Sequence, residues 1–277
     1  FAGPNPPAGA AVDVYLKSAP KTNDKIALAI ADGSGRTIRT IEMKAEDLRA
    51  GVNRIAWDLR PDPPVKAAPS QPGETRAEGA GLLFAPLVEP GAYRAVFSVG
   101  DKTATGAVTV DEDPRVEIEA AARAERRSAL DRLTEIGGRA YKALQVAGGL
   151  NSALNRTLES WKKYGVSKIP ADVRTAAEAL QKRAAEIHGR FVAPPLPEGW
   201  AGPPLEVRPP TIPDRFGNVA GTISGHTGPV SAAQTTEIAA IAKIVEDVGR
   251  AADKLVAEDL AALNKKMNEA GIPHIKI

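Results

Sequence analysis

The sequence predicts an α+β protein with two domains, an immunoglobulin-like antiparallel β-sandwich over 1–112 and an antiparallel three-helix bundle with one long helix over 113–277. Two observations predict this class. Before residue 112, apolar residues alternate with polar ones in short runs, which is typical of strands with one buried face. After Asp113-Pro114 they recur at steps of three and four, which is typical of amphipathic helices. A chain of 277 residues is long enough for both domains to bury a core.

Six short alternating runs predict the strands of the sandwich, at 12–16, 26–30, 36–42, 51–60, 93–99 and 104–110. Asp32-Gly33-Ser34-Gly35 predicts a tight turn between the second and third strands, because Asp and Gly tolerate the positive φ that such turns need. The segment 61–79 is rich in Pro, Ala, Gly and Glu and has no periodicity. We expect it to be an exposed, mobile loop.

The fourth run supplies the predicted core of the sandwich. Ile55, Trp57 and Leu59 alternate with polar residues or alanine, so they are expected to share one buried face. Tyr93 and Phe97 alternate in the same way in a later strand. We expect these large side chains to meet between the two sheets of the sandwich.

Three helices are predicted after residue 112. Asp113 is a suitable N-cap with Pro114 in the first turn, and the apolar stripe then continues to 164 as one long helix. Pro170 begins a second helix, whose apolar face extends to Phe191. The third begins with the capping-box spacing at 231–234 and ends near 271. Its stripe shifts after residue 255, which we interpret as the drift of a straight helix away from a heptad repeat.

Between the second and third helices, 192–230 is rich in Pro and Gly and is expected to be a long loop. We favour a surface strap anchored by a few apolar residues. The alternative is a loop that contacts a partner or a ligand. The candidate residues for that role are Trp200, Asp214, Phe216 and His226.

Composition and motifs point away from several functions. The 36 Lys and Arg residues against 34 Asp and Glu give a net charge of +2, so no nucleic-acid partner is expected. There is no cysteine in this chain and no run of roughly 20 apolar residues, so we expect neither thiol chemistry nor a membrane span. His188, His226 and His274 lack a metal-ligand spacing. No catalytic residue, metal or cofactor is therefore predicted.

Trp57-Asp58 invites comparison with a sugar-binding platform, in which an aromatic face lies beside a carboxylate. The alternation of the strand places Trp57 on its buried face, so a role in the core is favoured.

Several short motifs carry a resemblance to a known family. Gly51-Val52-Asn53, Trp57-Asp58, Pro90-Gly91-Ala92-Tyr93 and Asp113-Pro114-Arg115 occur in this order, and Ala270-Gly271-Ile272-Pro273 closes the last helix. The chain resembles the C-terminal region of large exported bacterial proteins that carry an N-terminal β-propeller of sortilin-like or BNR (sialidase-type) repeats. Those proteins are often labelled glycosyl hydrolases. The first half is also similar to the immunoglobulin-like domain of flagellar hook-capping proteins.

This resemblance implies a non-catalytic accessory or assembly module, exported to the periplasm, the cell surface or the medium. Its expected partner is a propeller domain or polypeptide, and a homo-oligomer is the alternative. One rival is part of a glycosidase-like or peptidase-like hydrolase whose site lies in a propeller absent from this sequence. Another is a carbohydrate-binding or surface-binding module. Because the sequence begins at Phe1, we favour a fragment of a longer protein over a processed product.

Overall fold

The computed structural model describes residues 8–67, 78–165, 169–193, 198–199, 201 and 208–277. It has antiparallel sheets and helices, which confirms the mixed class. The chain divides into two compact units, Phe1–Pro63 with Ala85–Glu117 and Pro64–Phe84 with Ile118–Ile277. The helical unit therefore includes a segment that leaves the first unit between two strands and then returns to it.

The first unit contains two antiparallel sheets. The six strands are β1 (Ala10–Leu16), β2 (Ile26–Ala31), β3 (Thr37–Met43), β4 (Gly51–Trp57), β5 (Gly91–Val99) and β6 (Lys102–Val110). Strands β1 and β4 form a two-stranded sheet, and the other sheet has the order β3-β2-β5-β6. All six predicted strands are present, with ends shifted by a few residues.

One hydrophobic cluster joins side chains from both sheets. Trp57 is fully buried, Ile55 and Phe97 are buried, and Leu59 and Tyr93 are partly buried against them. The Trp57 and Tyr93 rings meet edge to face with 5.4 Å between their centroids. The Trp57 indole N–H donates to the carbonyl of Arg60 at 2.9 Å, so the polar end of this buried ring is satisfied.

The prediction that the fourth strand extends to residue 60 is wrong, because β4 ends at Trp57. Leu59 takes a left-handed conformation with φ of 58°, which breaks the alternation. Its carbonyl accepts from the N–H of Val88 at 2.8 Å. The Asp58 carboxylate accepts from the N–H of Arg60 at 3.3 Å. These bonds hold the chain in a corner that a period-2 pattern does not reveal.

The residues after this corner cover the edge of β3. The N–H of Asp62 donates to the carbonyl of Ile38 at 2.7 Å, and its carboxylate accepts from the N–H of Thr40 at 2.9 Å. Arg39 adds an ion pair to the same carboxylate at 3.2 Å. The outer edge of β3 is thus partly satisfied within the chain.

The described part of the helical unit contains five α-helices, α1 (Ala120–Tyr164), α2 (Ala171–His188), α3 (Ile212–Ser224), α4 (Ala232–Lys254) and α5 (Ala261–Glu269). The helical unit also includes a short 3₁₀ turn at Ala80–Leu82, and the first unit has one at Ala45–Asp47. Within the described residues, no helix combines the length and the apolar character needed to cross a membrane.

The predicted start of the long helix is wrong. Helix α1 begins at Ala120, and Asp113 instead organises a turn before it. The Asp113 carboxylate accepts from the backbone N–H of Arg115 at 3.0 Å and from its guanidinium, and the Asp113 carbonyl accepts from the N–H of Val116. Asp-Pro favours a turn as readily as a helix start, and here the nearby arginine stabilises the turn.

Side-chain bonds give the direction of the helices along α1. Near its start, Arg126 donates to the carbonyl of Ile223 in α3 at 3.0 Å. Further along, Asn151 accepts from Gln181 of α2 at 3.0 Å. A residue near the start of α1 thus contacts α3, and a residue further along α1 contacts α2, which comes earlier in the sequence than α3. These two helices therefore run antiparallel to α1, one after the other.

Helices α4 and α5 return in the opposite direction. Arg215 of α3 pairs with Glu237 near the start of α4, whereas Asp172 at the start of α2 pairs with Lys266 of α5 at 3.2 Å. The two helices therefore lie antiparallel to α3 and α2. The faces that these helices bury are the apolar stripes recognised in the sequence.

A π-helical turn at Leu255–Leu260 joins α4 to α5 and corrects the sequence interpretation of the shifted stripe. The buried residues of α4 follow steps of three and four to Leu255, and the next buried residue is Leu260. A step of five matches the i to i+5 bonding of a π-turn. The stripe therefore moves at one local irregularity and not by gradual drift.

The described residues of the segment predicted as an exposed loop at 61–79 are partly exposed, with Asp62, Pro64, Lys66 and Glu78 among the exposed ones, whereas Val65 and Gly79 lie against the helical core. The turn that follows this segment, Ala80–Leu82, packs against α1. A Cβ on Gly137 would lie 2.0 Å from the carbonyl oxygen of Leu82, and one on Gly79 would lie 2.2 Å from the Leu144 side chain. Leu82 is fully buried. Residues 68–77 lie outside the described part of the chain.

We predict that Gly137→Ala lowers the free energy of unfolding of the helical unit. The added methyl collides with a backbone atom, and overpacking of this kind costs about 1–3 kcal/mol. Gly149→Ala on the same helix is the matched control. It meets no atom within 4 Å, so it should raise stability by up to about 1 kcal/mol through helix propensity. Urea unfolding followed by circular dichroism at the helical band measures both, and equal effects would contradict the close contact at Gly137.

Candidate functional site

Helix α3 lies inside the segment 192–230, which was predicted to be a loop. Its start is a capping box, in which the Thr211 hydroxyl accepts from the Asp214 N–H at 3.3 Å and the Asp214 carboxylate accepts from the Thr211 N–H at 2.8 Å. Gly217 and Gly221 lower its helix propensity and obscured the pattern. The capping spacing followed by apolar residues at helical steps is the signal that could have revealed it.

The structure does not bring together the three candidate loop residues that it describes. Phe216 is a core residue, 1% exposed, whose ring packs edge to face against Phe84 at 6.5 Å. Asp214 lies in the first turn of α3, whereas His226 is exposed beyond the end of that helix. Trp200 lies outside the described residues.

A groove of about 480 Å³ lies between α3 and α4, and we name it the α3–α4 groove. Its lining is formed by Pro210, Asp214, Arg215, Asn218, Val219, Thr222, Ala233, Gln234 and Glu237. Six of these side chains are polar or charged, and four of the six have partners on the same groove. The groove is therefore a candidate binding or catalytic site in the helical unit.

An ion pair crosses the α3–α4 groove. The Arg215 guanidinium donates to both oxygens of Glu237, at 2.7 and 2.8 Å. These hydrogen bonds hold the pKa of the Glu237 carboxyl below its usual value and raise the pKa of Arg215. A carboxylate held ionised by a bidentate arginine is a poor proton acceptor at neutral pH, so this pair serves structure better than acid-base catalysis.

The remaining bonded groups of the groove cap helices. The Asp214 carboxylate accepts from the N–H and the hydroxyl of Thr211, both at 2.8 Å. The Gln234 amide oxygen accepts from the Ser231 N–H at 2.8 Å, and its amide nitrogen donates to the Thr222 hydroxyl at 3.3 Å. The capping box predicted for the third helix is thereby confirmed. These contacts occupy one carboxylate oxygen of Asp214 and the amide oxygen of Gln234 with helix caps.

The histidines stand in three separate environments. The His188 ring nitrogen lies 3.2 Å from a carboxylate oxygen of Glu78, and the ring fits beside Gly148, where a Cβ would come within 3.1 Å of it. His226 is exposed, and His274 lies in the C-terminal segment. Within the described ranges, no cluster of three or more side chains has the composition of a metal site.

The first unit does not offer Trp57 as a sugar platform, because the ring is fully buried in the core. Among the described aromatic residues of this unit, Tyr15 is exposed, with 73% of its surface accessible, and it lies opposite Val52 in the register of β1 and β4. The ion pair between Asp13 and Arg54, with two bonds of 2.8 Å, lies beside it on the same two strands.

Comparison of the chain with protein-family models, with curated proteins and with solved structures finds no match. The resemblance to propeller-linked modules therefore remains a prediction from short motifs. The function has to be argued from the surfaces and charges of the chain itself.

We predict that Glu237→Gln flattens the acid side of the stability profile. Folding lowers the pKa of this carboxyl, so the ion pair contributes stability above the unfolded pKa, and that contribution is lost as pH falls through the lower folded pKa. At neutral pH the variant should be less stable by no more than about 1 kcal/mol, since the pair is partly exposed. Between pH 7 and pH 3, about the range that includes the titration of Glu, the melting temperature of the wild type should fall further than that of Glu237→Gln.

Thermal melts followed by circular dichroism at each pH make this comparison. Glu246→Gln is the control, because its carboxylate pairs with Arg250 on the exposed face of the same helix. Parallel pH profiles for the wild type and Glu237→Gln would show that the Arg215 pair does not stabilise the fold.

Proposed function

We propose that this chain is a non-catalytic accessory module of an exported bacterial protein, and that it docks on a β-propeller domain or polypeptide. The motif resemblance supports the partner and the exported location. The α3–α4 groove supports a role without catalysis, because its carboxylates serve a helix cap and an ion pair. The surface of the first unit supports docking.

We also propose that the first unit is an immunoglobulin-like sandwich and that the helical unit is a three-helix bundle. The shared core of the two sheets supports the first assignment. The second is supported by the course of the chain, up along α1, down through α2 and α3, and up again through α4 and α5.

The observation that carries the docking proposal is the open edge of β6. This strand has nine residues, Lys102 is its only charged one, and the six from Lys102 to Ala107 are all exposed. One edge of β6 pairs with β5, and no described strand pairs with the other. A long, nearly uncharged edge strand is a ready template for another strand.

The opposite end of the same sheet makes the contrast. There, Asp62 bonds to the backbone of Ile38 and Thr40 and covers part of the edge of β3. Asp62 thus protects the edge of β3, and no described residue is seen to protect the edge of β6 in this way. The open edge suits an extended segment of a partner, which would gain backbone hydrogen bonds by adding a strand.

We predict that Thr105→Lys, in the middle of β6, weakens docking about tenfold, equivalent to about 1.4 kcal/mol, because a lysine on an edge strand opposes pairing. The variant should fold normally, since Thr105 is exposed. Tagged wild-type and variant chains are expressed in the source cells, and the co-purified propeller polypeptide is quantified by mass spectrometry. Thr37→Lys makes the same change on β3 and should recover the partner as well as the wild type does.

The intact mass and the N-terminal sequence of the native protein show whether the propeller belongs to the same polypeptide, and this determines which binding measurement is used. If the propeller lies in the same polypeptide, hydrogen exchange of the β6 amides in the full-length protein replaces co-purification, with lower protection expected in Thr105→Lys. A wild-type chain that sediments as a monomer, recovers no propeller and shows unprotected β6 amides would refute the proposal. Self-association lost in Thr105→Lys would make the partner a second copy of this chain.

A further inference from the structure

A second cavity, of about 450 Å³, lies between the last turns of α1 and the C-terminal segment, and we name it the tail cleft. Helix α1 contributes Ala153, Arg156, Thr157, Ser160 and Trp161, and the opposite wall consists of Met267 and residues 272–276. None of these residues lines the α3–α4 groove. A volume of this size is within the usual range of small-ligand sites.

The opposite wall of the tail cleft is held in place by specific bonds. Gly271 has φ of 68° and ends α5, and the Ile272 N–H donates back to the carbonyl of Met267 at 2.7 Å. The Asn264 side chain donates to the carbonyl of Ile275 at 3.0 Å and accepts from its N–H at 2.9 Å. Ile275 is buried. These bonds within the chain hold the wall of the cleft in place, which lowers the entropy cost of binding a ligand.

The ionisable side chains of the tail cleft are Arg156, His274 and Lys276, and no carboxylate lines it. Arg156 and Lys276 have no ion pair with any described residue. Nearby cations do have one, since Lys162 lies 2.7 Å from the Glu159 carboxylate and Lys266 pairs with Asp172. In a chain whose charges nearly balance, two uncompensated cations on one cavity create a local positive potential.

An aromatic ring lies beside these cations. Trp161 is partly exposed at the cleft and packs its other side against the core shared by α1, α2 and α5. Met267 is buried below it. Ser160 is exposed, so its hydroxyl can donate, whereas the Thr157 hydroxyl already donates to the Ala153 carbonyl at 2.9 Å. Aromatic side chains commonly bind flat, apolar parts of ligands.

We propose that the tail cleft binds an organic anion that carries a ring. Its carboxylate or phosphate pairs with Arg156 and Lys276, and its ring packs on Trp161. The guanidinium of Arg156 fits either anionic group through two parallel hydrogen bonds. This site lies in the helical unit and is independent of the docking edge proposed for β6, so either proposal can fail without the other.

Isothermal titration calorimetry of the full chain tests the proposal with phenyl phosphate, benzoate, inorganic phosphate and benzyl alcohol. We expect saturable binding of phenyl phosphate or benzoate, and the tighter of the two identifies the anionic group. Inorganic phosphate should bind more weakly because it has no ring, and neutral benzyl alcohol should not bind. Arg156→Gln and Lys276→Gln should each weaken binding about tenfold, since each removes a charge-assisted contact.

Arg139→Gln is the matched control, because this exposed arginine lies on the same helix, about 26 Å nearer its start. It should bind like the wild type. The indole N–H resonance of Trp161, assigned by its loss in Trp161→Phe, should shift during titration. The proposal is overturned if neither ring anion binds saturably, if benzyl alcohol binds equally well, or if Arg156→Gln and Lys276→Gln both bind like the wild type.

Discussion

The length of α1 is the constraint on which the helical unit depends. The helix has 45 residues and is therefore about 68 Å long, and its apolar stripe continues along most of that length. No other helix in the described chain is long enough to cover such a stripe alone. The first half is buried by α3, α4 and residues 82–84, and the second half by α2, α5 and the π-turn. The order of the other helices follows from this division.

Two local irregularities make the division work. The π-turn at Leu255–Leu260 lengthens one step between buried residues to five, from Leu255 to Leu260. This change of register keeps the apolar stripe of the returning helices on the side that packs against α1 and α2. Gly137 lets the backbone at Leu82 approach α1 more closely than a methyl group would permit. Each irregularity costs some helix stability locally and is offset by apolar burial on both sides.

The sequence was sufficient to predict elements whose burial follows a regular period. The apolar residues of the six strands recur every two residues, and those of α1, α2 and α4 recur every 3.6 residues on average. Such a period can be recognised within a single element, without knowledge of its partners. It failed where structure depends on distant contacts. The corner at Leu59 needs Val88, and the close approach of Leu82 to α1 needs Gly137, which lies more than fifty positions away. Helix α3 was missed because its glycines outweighed its capping box. Because α3 was missed, two of the predicted loop residues were assigned the wrong role: Phe216 is a core residue and Asp214 caps the helix.

The distribution of charge separates the structural surfaces of the helical unit from those that remain open to a ligand. In the α3–α4 groove, the charges of Arg215 and Glu237 neutralise each other in an ion pair. The groove therefore has little capacity to bind a further charged group. In the tail cleft, Arg156 and Lys276 have no ion pair with any residue of the described ranges, and both side chains are exposed to water. A ligand anion there would replace water without breaking a protein ion pair. On this physical ground, we expect a ligand anion to bind the helical unit at Arg156 and Lys276 and not in the groove, although the groove has more polar residues.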